Sequence, residues 1–346
     1  MGGELFVRQN AAEQKFLEAC QRGRPGSAWM ITGPAGIGKG DLAVRIATYL
    51  LTGTEGDADS LDVAPDSPIH ARIAAGSEPG LRTVRVDGAD GSAKRSRQIL
   101  VDDIREMQEH FRLASIGGKP RIAIIDSADD LNRNAANALL KDLEEPPDNA
   151  FYFLTSSNPL RLPPTIRSRC RILPCRSHSP AQITAELESR PDISPDRRDA
   201  LGVLADGSIG MALHLHANDG IAIYEQLLAM LAAFRQPESL LLQLVDRCQA
   251  EPTPETFEIM EFLARILISR LAHLAASNTL HHAVVPGEGD ALKPFVRSSA
   301  AAAAWSELHA DLIAALETAR RAQLGVFEKV FLIGERITGT ARTLVQ

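Results

Sequence analysis

Residues 33–40 read Gly33-Pro34-Ala35-Gly36-Ile37-Gly38-Lys39-Gly40 and separate an apolar stretch (28–32, AWMIT) from an amphipathic one (41–51, DLAVRIATYLL). The first stretch reads as a strand. The second reads as a helix, with apolar positions at Leu42, Ile46, Tyr49 and Leu50. A strand that turns through glycines straight into a helix belongs to an α/β sheet. The turn also has a chemistry. Glycines let backbone N–H groups point inward around phosphate oxygens. The head of the helix adds a favourable dipole. A lysine at the position of Lys39 reaches the outer phosphates as a point charge. Strand, GxxxxGK spacing and helix together mark Gly33, Gly36, Gly38, Lys39 and Gly40 as a phosphate-binding loop. The bland alternative is a glycine-rich turn with no ligand.

The metal-holding half of such a site is incomplete. The residue after the lysine is normally Ser or Thr, whose hydroxyl ligates Mg²⁺. Here it is Gly40, which has no side-chain oxygen. A second apolar strand, 121–126 (RIAIID), ends at Asp126, the expected Mg²⁺-side carboxylate. Hydrolytic relatives of this arrangement commonly carry Glu next; here Ser127 follows, a poor base at neutral pH. Asp129 and Asp130 are better read as carboxylates at the start of the next helix than as catalysts.

Up to about residue 175 short strands alternate with helical patterns. After the first strand and helix come an irregular insertion (53–80), a strand near 82–87 and a charged break near 88–97. A helix near 101–113, the strand 121–126, a helix at 132–145 and a strand at 151–156 follow. Beyond 175 the strand signals stop. Short helices near 180–189 and 196–205 precede longer ones at 222–234, 237–249, 254–276 and 300–320. A Pro/Gly loop at 283–294 interrupts them. The expected division is an α/β phosphate-loop domain (1–175), a small helical unit (176–218) and an all-helical domain (219–346). At 346 residues and 45% hydrophobic, the chain can bury more than one core. No apolar run is long enough to span a membrane. The N-terminus has no basic head leading into an apolar run. The cytoplasm is therefore the expected compartment. A net charge of −7 argues against wrapping DNA with the whole surface.

The stretch 121–170 is the most specific. It reads RIAIIDSADDLNRNAANALLKDLEEPPDNAFYFLTSSNPLRLPPTIRSRC. Its Ala136–Pro147 segment (ANALLKDLEEPP) and its terminal Ser168-Arg169-Cys170 resemble the clamp-loader branch of the AAA+ ATPases, over about residues 5–215. The resemblance implies a parallel sheet flanked by helices, a helical lid, and a C-terminal collar domain that joins its neighbours in a hetero-pentamer. Within the branch the chain looks like the non-motor subunit that partners gamma/tau motors and a delta subunit, not like a gamma/tau motor. Three departures separate it from the motors: Gly40, Ser127, and Gly210 in Gly207-Ser208-Ile209-Gly210, where motors carry an arginine. The resemblance gives Arg169, with Ser168 beside it, a catalytic role in trans, as an arginine finger reaching a neighbour's ATP. It implies that the sliding clamp and primer–template DNA are met through the complex. For its own loop, the ligand implied is ATP or ADP, held weakly and without turnover. An active AAA+ motor and a P-loop nucleotide kinase remain as rivals. A solvated arginine in a basic run (Arg161, Arg167, Arg169, Arg171) is the plain alternative for the finger.

Some members of this branch carry a four-cysteine zinc module after the loop helix. Residues 51–80 here contain no cysteine, and Cys20, Cys170, Cys175 and Cys248 offer no second close pair, so no metal site is expected. Cys170 reads as a packing residue, Cys20 and Cys248 as core. His178, His214, His216, His281 and His282 read as solvent-exposed, without carboxylate or cysteine company.

Overall fold

A computed structural model describes residues 8–23, 25–53, 60–64, 66–86, 98–113, 120–250, 254–280 and 282–345. They fall in two compact units, Met1–Ser177 and His178–Gln346.

The first unit is built on a parallel sheet of β1 (Ala28–Thr32), β2 (Leu81–Val84), β3 (Arg121–Ile125), β4 (Ala150–Ser156) and β5 (Arg171–Pro174), in the order β2-β3-β4-β1-β5. Strands buried on both faces need continuous apolar runs, and β1 and β3 supply them. Alternation then sorts side chains between the two faces. Trp29 and Ile31 pack with Phe16 and Leu17 of α1 (Asn10–Gln21) and with Leu42, Ala43 and Ile46 of α2 (Lys39–Thr52). Ala28 and Met30 face the opposite core. There Ile104 and Met107 of α4 (Val101–Leu113) meet Leu139 and Leu143 of α5 (Arg133–Glu144). Phe16 stands edge-on to Trp29 at 5.4 Å and to Phe153 at 5.9 Å, which locks α1 onto the centre of the sheet. In a doubly wound parallel sheet, ligands gather where strand order reverses, beyond the carboxyl ends of the strands. The phosphate loop leaves that end of β1.

The expected α/β architecture followed by helices is what the structure shows. Within the stretch read as irregular (53–80), residues 54–59 and 65 lie outside the described residues. The rest includes α3 (Pro68–Ala74), started by proline at its first position, with Ile69 buried in the sheet's core. The charged break at 88–97 lies outside the described residues. Strand β5 had no separate reading; only Leu173 of its four residues is deeply buried, so alternation alone does not reveal it.

The second unit is helical throughout its described residues. Three shorter helices come first: α7 (Pro180–Leu187), α8 (Pro195–Leu204) and α9 (Ile209–Ala217), the four-residue α6 (Pro164–Arg167) lying before them in the first unit. Then follow α10 (Gly220–Ala232), α11 (Glu238–Ala250), α12 (Pro254–Ser277), α13 (Glu288–Leu292), α14 (Ala301–Arg321) and α15 (Val326–Leu344). Helix α12 runs along α14 and α10, with Leu263, Leu267, Leu271, Leu312 and Leu316 all buried. The stretch 283–294, read as a loop, contains α13. A buried carboxylate organises it. Glu288 accepts hydrogen bonds from the Tyr224 hydroxyl (2.6 Å), Arg270 Nε (2.9 Å) and the Val284 N–H (2.6 Å). A buried charge survives only when paired and hydrogen-bonded in this way. His178 is buried rather than exposed, and His216 does have carboxylate company, at 3.2 Å from Asp192; His281 lies outside the described residues.

Candidate functional site

The loop between β1 and α2 depends on glycine at three places. Gly33, Gly36 and Gly38 have φ of +150°, +71° and +86°, values that side chains with a Cβ rarely adopt. Gly33 has no room either. A Cβ there would stand 2.6 Å from the Cys175 carbonyl oxygen and 2.8 Å from Ile37 Cδ1. The loop is thus pressed against the exit of β5, where the Cys175 N–H donates to Thr32 O at 2.7 Å. Gln9 closes the same corner from the start of α1. Its buried amide donates to Ile37 O (3.3 Å) and Arg176 O (3.0 Å) and accepts the Arg176 N–H (3.1 Å).

Lys39 is the first residue of α2 and is nearly buried. Its ammonium donates to Gly33 O (2.9 Å), Pro34 O (2.5 Å) and Ser157 Oγ (3.0 Å). Burial pushes its pKa down, opposed by Cys175, Asp129 and Asp126. Asp129 does not stand at the head of a helix as a free carboxylate. It lies in a short 3-10 turn (Ala128–Asp130) and holds the exit of β4, accepting from Ser156 Oγ (2.6 Å) and the N–H groups of Ser157 (2.6 Å) and Asn158 (3.2 Å). That tie presents Ser157 to Lys39. Burial, with Asp129 adding to it, raises the pKa of Asp130.

Asp126 follows β3. The Thr155 hydroxyl donates to its Oδ1 at 2.7 Å and accepts the Ser127 N–H at 2.7 Å, while Ser127 itself sits at φ +59°. Gly40 faces this carboxylate: a Cβ there would lie 3.3 and 3.5 Å from its two oxygens. The position that would supply a metal-binding hydroxyl therefore points at Asp126 and carries only hydrogen. Three positive-φ glycines, the head of α2 and Lys39 fit the phosphates of a nucleotide. The donor set for Mg²⁺ is incomplete, since Gly40 offers no oxygen beside Asp126.

Ser168 and Arg169 lie apart from this cluster in their contacts. They follow α6 directly, just before β5. Ser168 Oγ donates to Thr165 O at 3.2 Å. Arg169 Nη1 donates to the same carbonyl at 2.9 Å, and Nη2 pairs with Glu144 at the end of α5 at 2.6 Å. The Arg169 side chain keeps about a third of its surface exposed (34%), enough for a group from outside to reach it. Cys170 next to it is buried, its thiol pushed up to about 12 by burial, and Cys175 to about 11. Neither is a nucleophile near neutral pH. Cys20 is half-buried against the core and Cys248 buried. Among the described residues no group of three His, Cys, Asp or Glu side chains could hold a metal ion, and no helix is long and apolar enough to cross a membrane.

The structure thus brings Lys39, Gly40 and Asp126 together and joins Arg169 to Glu144. Sequence reading missed Thr155, Ser157 and Gln9, and it missed Glu144 as a partner. The polar run Thr155–Asn158 directly after the apolar FYFL is a visible signal for the first two. An acid at the C-terminal end of a helix, where the dipole disfavours it, is one for Glu144.

A family model described as DNA polymerase III, delta subunit, matches residues 8–179. The DNA polymerase III subunit delta' of Escherichia coli K12 is 30% identical over 280 residues, covering 79% of this chain and 78% of that protein. The subunit delta' of Bacillus subtilis 168 is 32% identical over 219 residues, 63% of this chain and 62% of that protein, so the match spans about six tenths of its length. The DNA polymerase III subunit tau of Escherichia coli K12 is 29% identical over 230 residues, 64% of this chain but 34% of that much longer protein.

Proposed function

This chain belongs to the DNA polymerase III delta-prime family, and from that premise we propose that it serves in a clamp loader without hydrolysing ATP itself. In this reading it is the stator of a hetero-pentamer with gamma/tau motors and a delta subunit. Arg169 completes the ATP site of a neighbouring motor. The assembly opens a sliding clamp and places it on primer–template DNA.

The observation that carries this reading is the contrast at Gly40 and Arg169. Gly40 faces Asp126 without a hydroxyl, and Ser127 stands where a water-orienting carboxylate would be. Metal-assisted phosphoryl transfer at this loop lacks both parts. Arg169, by contrast, is intact, part-exposed and anchored. A guanidinium is always charged and presents a planar fork of donors, the geometry that phosphate oxygens accept. Set against a neighbour's γ-phosphate, it would stabilise charge that develops as the phosphoryl group transfers, at no cost of reorganisation at the moment of reaction. For this chain's own loop, the fit to phosphates and misfit to Mg²⁺ support weak ATP or ADP binding with a static role.

The test is ATP turnover by the reconstituted complex with clamp and primed DNA, wild type against Arg169→Ala, with the isolated chain as a blank. A large drop with assembly intact, and a silent blank, is expected. Turnover in the blank would return this chain to the motors, and an unchanged rate in the variant would make Arg169 a surface residue.

A further inference from the structure

Among the described residues Glu144 is the charged group paired with Arg169, and the pairing has a local cost. It is the last residue of α5, where a carboxylate meets the negative end of the helix dipole. The pair joins the end of α5 to the link that follows α6. Two terminal nitrogens of the guanidinium are tied down independently: Nη2 by Glu144 at 2.6 Å and Nη1 by Thr165 O at 2.9 Å, with Ser168 Oγ at 3.5 Å. A single tether would leave the planar group free to swing about its stem. Two tethers on different elements fix both its position and its plane. Ser168 is drawn into the same arrangement, since its hydroxyl donates to the Thr165 carbonyl that Arg169 also uses.

We propose that Glu144 is a positioning residue for Arg169: it holds the guanidinium in the plane in which its remaining donors meet the phosphate on a neighbouring subunit. This rests on the trans-finger reading above. Positioning, unlike attraction, acts on the rate of the step and not on how tightly the neighbour binds nucleotide. An arginine held in place loses less freedom when it engages. A latch that sequesters the arginine is the opposite arrangement, and it predicts the opposite sign.

The experiment is steady-state ATP hydrolysis by the full reconstituted complex, with clamp and primed DNA, carrying Glu144→Ala, Glu144→Gln or Arg169→Ala in this subunit. Expected for Glu144→Ala is a kcat about three- to tenfold below wild type with KM for ATP within twofold, matching the modest strength of a part-exposed ion pair. Glu144→Gln, which keeps a carbonyl acceptor at the same reach, recovers most of the loss. A merely structural role would shift the urea unfolding midpoint of the Ala and Gln variants in proportion to their rates; positioning leaves the midpoints together and the rates apart. If Arg169→Ala lowers turnover and Glu144→Ala does not, or raises it, the positioning role is overturned while the finger reading stands. If Arg169→Ala has no effect, the finger reading falls and this proposal falls with it.

Discussion

Two strand ends in the same sheet spend their polar groups differently. At the exit of β1, the phosphate loop retains its glycines and Lys39, yet the groups around it are spent on one another. Lys39 is bonded to its own loop's carbonyls and to Ser157, Asp129 is consumed by the β4 exit, and Asp126 takes its hydroxyl from Thr155, since position 40 is glycine. At the entry to β5, Arg169 is only tethered, with a third of its surface open. A self-satisfied polar cluster rigidifies a fold. A part-exposed, anchored cation can serve a partner. The contrast separates a site that holds the domain together from one that is presented outward.

Paired substitutions break this contrast most directly. Arg169→Ala should reduce hydrolysis at the served motor site by about 10³-fold or more, the scale of arginine fingers. Lys39→Ala should leave turnover of the assembled complex within about twofold, because no chemistry is assigned to its own loop. Single-turnover hydrolysis with each variant subunit reads both. Equal losses would erase the distinction between the two strand ends.

Gly33→Ala comes next in size. A Cβ at φ +150°, 2.6 Å from a backbone carbonyl of the β5 exit, should cost about 3 kcal/mol in urea-monitored stability. The loop's glycines would then count as structural joints as much as ligand contacts. A loss below about 1 kcal/mol would show that the loop yields and the two strand exits are not locked.

How far these regions could be read in advance follows from which interactions are local in sequence. The strand 28–32, the glycine loop and the helix after it are contiguous, so periodicity and spacing expose them. Asp126 was visible because a buried strand ends there. Thr155, which links Asp126 to the Ser127 backbone, lies 29 and 28 residues away from its partners, and nothing in local pattern reveals such a bond. Glu144 and Arg169 meet for the same reason, through the packing of α5 on α6. Strand β5 was hidden because an edge strand with one deeply buried residue has no alternation to read. The helix α13 was hidden by the glycine and proline around it, overridden by the ties to Glu288.

The two buried thiols sharpen the comparison through pH, since Cys170 follows Arg169 and Cys175 adjoins the glycine loop. Burial raises both above the ordinary thiol value, to about 12 and about 11. A raised folded-state pKa favours the protonated form on folding. The associated stability is therefore fully present below about pH 9 and is lost as pH rises toward 11, by about 2 kcal/mol per thiol. Urea midpoints at pH 8, 10 and 11 should fall more steeply in wild type than in Cys170→Ala/Cys175→Ala. Parallel slopes would mean that neither strand exit shields its thiol.

Gly40→Ser has the smallest expected effect and bears on whether the loop is a spent site or a latent one. The new Cβ would stand 3.3 and 3.5 Å from the Asp126 oxygens, so Asp126 must give way by a few tenths of an ångström. It is held by one hydroxyl, that of Thr155, and a carboxylate so held can turn. A serine hydroxyl beside it would restore one Mg²⁺ ligand without restoring a water-orienting acid at Ser127. The outcome expected is Mg²⁺-dependent nucleotide binding tightened by about three- to tenfold, or ~1 kcal/mol, with no turnover gained. Titration of a fluorescent ATP analogue with and without Mg²⁺ measures it. Tighter binding with silent chemistry would place the deficit of this loop in its metal ligands and its missing base separately. Unchanged binding would mean that Lys39, bonded to Gly33 and Pro34, keeps the loop closed to phosphate whatever residue stands at position 40.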